Sequence, residues 1–195
     1  MVRDPLHDRT PLDVSNNPRQ KVLVDYLFDK SRNASKVRVV DEPDVYITTE
    51  LATNLVDKAR SRNIEVGGLF GFYLGIPSEQ YKVMLISYER PAQVIVPSPV
   101  APRVSLDIFS HMTREGRSTE SPDLKCLGWY RTIGSIEGIG QFDEYIHKTF
   151  FTDEDNAFLL VGRNIGGIAT YMGRDLRPNQ RLRMVPTREL EALIQ

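Results

Sequence analysis

The sequence contains a single cysteine, Cys126. It closes no internal disulfide and excludes a thiolate-rich zinc site. No apolar run approaches the roughly 20 residues that a membrane helix requires, so no membrane partner is expected. Neither sign of charge dominates: 25 Lys and Arg stand against 26 Asp and Glu, a formal net charge of -1. That balance supplies no global field toward nucleic acid or an anionic membrane. The stretch Met1 to Arg9 carries acids and Pro5 where a signal peptide needs apolar residues, and cytoplasmic residence is the default expectation. Internal repeats and low-complexity tracts are absent. What remains is an ordinary globular mixture, 41% apolar and 26% charged in 195 residues, long enough for one domain with a proper core.

Local patterns place the elements. Thr49 to Ser61 reads as a helix, with Leu51, Leu55, Val56 and Ala59 on one face, Glu50 in its first turn and Thr48 or Thr49 as a cap. Val22 to Phe28 is apolar, and periodicity leaves helix and strand both open. Strands are expected at Val37–Val40, Val45–Thr48, Glu65–Gly75 and Tyr81–Tyr88, and a central one at Leu124–Tyr130. The interspersed glycines of the Glu65–Gly75 strand suggest close packing against other backbone. Pro91, Pro97, Pro99 and Pro102 mark an irregular connection or edge segment over 90–103, and Val104–Met112 reads as a helix. A helix over Phe142–Phe151 follows a glycine-containing loop. Phe158–Val161 and Ile168–Met172 flank Gly166 and Gly167 as a hairpin. A short helix at Thr187–Ile194 ends the chain. The alternation argues for one α/β domain over 45–175, a mixed sheet flanked by helices, with an N-terminal extension over 1–44 and an arginine-rich tail over 176–195.

Three pieces recur in order: a helix followed by Glu65-Val66-Gly67-Gly68-Leu69-Phe70-Gly71, a strand ending Leu127-Gly128-Trp129-Tyr130, and a glycine-rich loop leading into Phe142-Asp143-Glu144-Tyr145-Ile146-His147. This ordered set resembles the JAB/MPN (JAMM) domain family over residues 45–175. In active members the resemblance implies two histidines and an aspartate on zinc, a serine at the oxyanion, and a glutamate that moves the proton of the zinc-bound water. Zinc with three protein ligands lowers the pKa of its water to about 7, and a neighbouring carboxylate shuttles the proton. Carried onto this sequence, the glutamate is Glu65. The histidine positions are Arg131 and Ile133, and the proline position is Gly134. The aspartate is Asp143, or Glu144 under strict family spacing. The serine position is then Gly140 or Gln141. Ile133 coordinates nothing, and Arg131 brings a permanent positive charge to the place of a dication. The resemblance therefore implies a zinc-less member with no cofactor, in which the Arg131 guanidinium replaces the metal electrostatically by pairing with Asp143, Glu144 or Glu65.

Other residues have plainer readings. Glu65 ends a helix or makes a surface pair. His147 reads as packed or solvent-facing, and Trp129 and Tyr130 as core and strand-edge residues. His111 and Asp107 share helical spacing but lack a third metal ligand. Cys126 has no evident histidine partner and reads as a small buried apolar residue. Ser135 lacks a Gly-x-Ser-x-Gly elbow. The Gly138/Gly140 pair lacks the third glycine of a phosphate cradle. Arg174, Arg177, Arg181, Arg183 and Arg188 are diluted by Asp175 and Glu189 and read as a solvated surface rather than an anion-binding patch. Three functions follow. The first is a non-catalytic MPN-like interaction or scaffold module, its partner another MPN-like subunit or a second copy, met through Val22–Phe28 or the C-terminal helix. The second is a divergent hydrolase of isopeptidase or amidase type, built on Glu65, Asp143 or Glu144 with His147 or His111. The third, nucleic-acid binding through the C-terminal arginines, is disfavoured by the neutral net charge and the lack of interleaved exposed aromatics.

Overall fold

The computed structural model describes residues 11–34, 43–61, 64–77, 81–91, 125–133, 138–163, 167–179 and 182–194. Asn17 and Pro18 settle the ambiguity at the N-terminus in favour of a helix. Pro18 needs no N–H at the first helical position, and Asn17 Oδ1 accepts the Gln20 N–H at 3.3 Å. Helix α1 runs Pro18–Ala34 and buries Leu23, Val24 and Leu27. Helix α2, Thr49–Arg60, buries Leu51, Ala52, Leu55, Val56 and Ala59, the expected face; Thr48 occupies its cap position without a capping side-chain bond. Helix α3 covers Gln141–Phe150 and helix α4 covers Thr187–Ile194.

Among the described residues nine strands join in one mixed sheet: β1 Leu12–Asp13, β2 Asp44–Thr48, β3 Val66–Ile76, β4 Tyr81–Pro91, β5 Lys125–Thr132, β6 Ala157–Val161, β7 Ile168–Met172, β8 Arg177–Asn179 and β9 Arg183–Val185. The main path is β8-β7-β6-β5-β3-β4-β2-β9, with β1 paired to β3. β6 and β7 form the expected antiparallel hairpin. The expected Val37–Val40 strand and Val104–Met112 helix, most of the 90–103 connection, and His111, Asp107, Ser135 and Arg181 lie outside the described residues.

The order of this path forces curvature. β8 and β9 are its two ends. In a flat sheet their seven spacings would hold them about 34 Å apart. Four peptide links join Asn179 to Arg183, and four residues reach at most about 14 Å. The sheet therefore curls, and α2, which touches β2, β4, β5, β6 and β9, lies inside the curl. The inner core gathers α2 with Val45, Ile47, Leu69, Tyr73, Met84, Ile86, Tyr130 and Leu159. The outer face carries two separate clusters. One packs α1 and α4 on Tyr46, Leu74, Val83 and Leu85. The other packs α3 on Val66, Phe70, Trp129, Phe158 and Leu160.

The divisions expected at 44/45 and 175/176 do not coincide with a break in packing. β1, from the expected extension, pairs with β3, and β9, from the expected tail, pairs in parallel with β2. α1 and α4 share one apolar cluster. Short strands of two or three residues carry no readable alternation, which is why β1, β8 and β9 escape a reading of periodicity.

Candidate functional site

A β-bulge decides which way the site residues face. On β5, Gly128 lies opposite Leu69 and Cys126 opposite Phe70, so Leu127 is the extra residue. Leu127 belongs to the inner core, whereas Trp129 belongs to the outer cluster under α3. Unbroken alternation would put 127, 129 and 131 on one face; the bulge reverses the phase. Gly128 makes this possible. Its φ is +153°, and a Cβ there would lie 1.8 Å from the Ala157 carbonyl oxygen. Beyond the bulge Tyr130 turns inward and Arg131 outward, toward α3.

Arg131 meets Asp143 there. Its Nε donates to Asp143 Oδ1 at 2.6 Å and its Nη2 to Oδ2 at 2.7 Å. This is a fork-on-fork pair, the geometry in which guanidinium and carboxylate bind most strongly. Asp143 is 1% exposed and the Arg131 side chain 11%. Asp143 Oδ2 also accepts the Gly140 N–H at 2.9 Å. Asp143 thus closes the first turn of α3, where a carboxylate is favoured by the helix dipole. Helical spacing turns Glu144 away: it is half exposed and pairs with Lys148 at 3.2 Å. Of the two alternative registers, the structure buries Asp143 and leaves Glu144 in solvent.

One turn further along α3, His147 is fully buried. The Trp129 indole N–H donates to its Nδ1 at 3.1 Å, and its Nε2 lies 2.9 Å from the Gly173 carbonyl. An indole only donates and a carbonyl only accepts, so the ring is neutral with its proton on Nε2. Trp129 stacks on Phe158 with centroids 4.3 Å apart. Both ring nitrogens of His147 are committed to structure. Ile133 packs against this same apolar cluster.

Glu65 is placed elsewhere. Its main chain pairs with Thr132: the Glu65 N–H donates to Thr132 Oγ1 at 2.7 Å, and the Thr132 N–H to Glu65 O at 2.8 Å. Its carboxylate lies 3.3 Å from Lys58 Nζ of α2. That ammonium also meets Glu89 Oε1 at 2.7 Å, and Glu89 Oε2 accepts the Tyr130 hydroxyl at 2.8 Å. Glu65 therefore belongs to an inner-face cluster of Lys58, Glu89 and Tyr130, not to the outer-face pair. Burial, with the hydrogen bond to Glu89, pushes the Tyr130 phenol far up, so it stays protonated. Burial works against the Lys58 ammonium, but hydrogen bonding to Glu89 and the charges of Glu89 and Glu65 outweigh it and raise its pKa. Sequence reading missed Lys58 and Glu89. A signal existed for Lys58, which lies near the end of a helix leading into Glu65; none existed for Glu89, brought in by β3–β4 pairing.

Zinc does not fit the residues that stand at the resembled ligand positions. Arg131 and Ile133 offer no lone pair to a cation, and both Asp143 oxygens are held by Arg131. Among the described residues no group of three His, Cys, Asp or Glu side chains is arranged to hold a metal. Cys126 is buried and its thiol faces the Gly128 carbonyl. Of the C-terminal arginines, Arg177 pairs with Glu154 and Arg183 with Asp44.

No protein-family model matches the chain, and no curated protein matches it. Among solved structures it is similar to a JAB1/MPN domain protein from Archaeoglobus fulgidus, with 13% identity, a TM-score of 0.43, and coverage of 74% of this chain and 99% of that one. A likeness at this level says nothing about activity. No helix among the described residues is long and apolar enough to cross a membrane.

Proposed function

We propose that this chain is a non-catalytic, MPN-like protein-interaction or scaffold module in which the Arg131–Asp143 pair takes the charge role that zinc has in the resembled enzymes. One observation carries the reading: Arg131 grips both oxygens of a carboxylate that is 1% exposed. A guanidinium can neutralise such a carboxylate as a dication does, but only the dication activates water. The partner is a protein, either a second MPN-like subunit or another copy of this chain. On the surface first expected for it, Leu23, Val24, Leu27 and Leu190 pack in the cluster of α1 and α4, while Val22 stays exposed. The divergent-hydrolase reading gains no support, since Asp143, Glu65 and Glu144 are each engaged by a cation.

Metal analysis of the full chain purified in the presence of zinc tests this. The expected result is well under one-tenth equivalent of zinc and no isopeptidase activity. A second protein, Arg131→His with Ile133→His, restores two nitrogen ligands beside Asp143. It is expected to take up zinc, and to lose it again when Asp143→Ala is added. Stoichiometric zinc in the unaltered chain overturns the proposal. So does failure of the folded double variant to bind zinc, because the correspondence of positions would then be wrong.

A further inference from the structure

The outer face of the sheet under α1 and α4 carries a half-open cavity of about 430 Å³. Its floor is apolar and buried: Leu23 from α1, Leu74 from β3, Leu85 from β4 and Leu190 from α4, with half-buried Phe72 beside them. Its mouth is polar and neutral in sum. Asn17, Gln20, Thr48, Ser87 and Thr187 contribute amide and hydroxyl groups, of which Asn17 Oδ1 accepts the Gln20 N–H and the Thr187 hydroxyl donates to Glu50, while exposed Arg19 and Glu191 carry one charge of each sign. The cavity belongs to a different apolar cluster from the Arg131–Asp143 pair, which lies at α3.

We infer that this cavity is a binding site for an uncharged amphipathic small molecule, with an alkyl or ring body of about eight to ten carbons and a hydroxyl or amide head. Size and chemistry select this occupant. Small-molecule sites span about 300–1,000 Å³ with mostly apolar walls and few polar groups. A dry cavity of about 150 Å³ already holds benzene, so this one admits a body several times larger than a methyl group and more than one ring in size. The floor offers no charge to compensate a buried ion, which would be costly to desolvate. The mixed donors and acceptors of the mouth suit a head that both donates and accepts.

The test is a methyl-NMR titration of the full chain with 1-octanol, octanoate and octylammonium. Octanol is expected to shift the Leu23, Leu85 and Leu190 methyls saturably, and to bind about fivefold or more tightly than either ion. Ser87→Trp fills the cavity from β4 and Gln20→Trp from α1; each is expected to weaken octanol binding about tenfold while the protein stays folded by circular dichroism. Non-saturable shifts, or shifts scattered over the surface, overturn the site. Tighter binding of either ion overturns the uncharged class. Undiminished binding in both folded tryptophan variants overturns the location.

Discussion

Two ion clusters sit back to back across the β3–β5 region, and they are built differently. On the outer face one arginine and one aspartate meet in a closed fork with 11% and 1% exposure. On the inner face one lysine serves two carboxylates and a phenol, with Glu65 30% exposed at the margin. The first is a matched planar pair; the second is a point charge shared among several acceptors. A planar pair has no slack: remove one member and the other is stranded. A shared ammonium sits nearer solvent, and its loss is partly relieved by water. Sequence resemblance assigned Glu65, Arg131 and Asp143 to one site, and the curled sheet assigns them to two.

That contrast can be broken at graded cost. Arg131→Met strands a buried carboxylate and should destabilise the fold by about 3–5 kcal/mol. Adding Asp143→Asn, which removes the stranded charge and keeps a capping oxygen for Gly140, should recover part of the loss; denaturant melts of the single and double variants give the coupling. Additive losses would show that the fork is not a unit. Lys58→Met should cost less, about 1–3 kcal/mol, because Glu65 keeps access to water and Glu89 keeps the Tyr130 hydroxyl as a donor. The Lys58 contribution has a defined pH window. Its pKa lies above the ordinary 10.5, so its stabilisation is complete below that value and is lost as pH rises through the raised folded pKa. Tyr130 acts in the same direction: above pH 10 the unfolded phenol ionises first, and folding loses ground. Urea midpoints of the unaltered protein and Lys58→Met should therefore converge at strongly alkaline pH; a constant gap contradicts the assigned network.

Trp129→Phe keeps most of the stacking on Phe158 but leaves His147 Nδ1 without its donor, at about 1–3 kcal/mol. Nitrogen-15 NMR of the imidazole should report the Nε2–H tautomer in the unaltered protein. The opposite tautomer would contradict the Gly173 bond. The smallest effect belongs to Glu144→Ala, within about 0.5 kcal/mol, because its pair with Lys148 is exposed at both ends. If Glu144→Ala proved as costly as Arg131→Met, the register of α3 would be wrong.

Regular elements were legible where periodicity was long. The α2 face, the β6–β7 hairpin and α3 all fall where their apolar spacing puts them. The inward turn of Asp143 was not legible against Glu144, because adjacent helical residues differ only in which way the helix rolls onto Trp129 and Phe158. The face of Arg131 was equally hidden: it depends on the extra residue Leu127, and a bulge interrupts the alternation on which a strand reading relies. Lys58 and Glu89 became neighbours of Glu65 only through the β3–β4 and α2 packing.

By itself the sequence determined which side chains are available: Arg131 and Ile133 carry no lone pair for a cation, and no folding gives them one. It also determined the α/β alternation, because 3.6- and 2-residue periods are local properties of the chain. Tertiary structure decided which carboxylate Arg131 takes, that Glu65 answers to Lys58, and that β1 and β9 join the one curled sheet. Those outcomes depend on a bulge, on short strands and on closure across four peptide links, and each is a matter of distance between segments far apart in sequence.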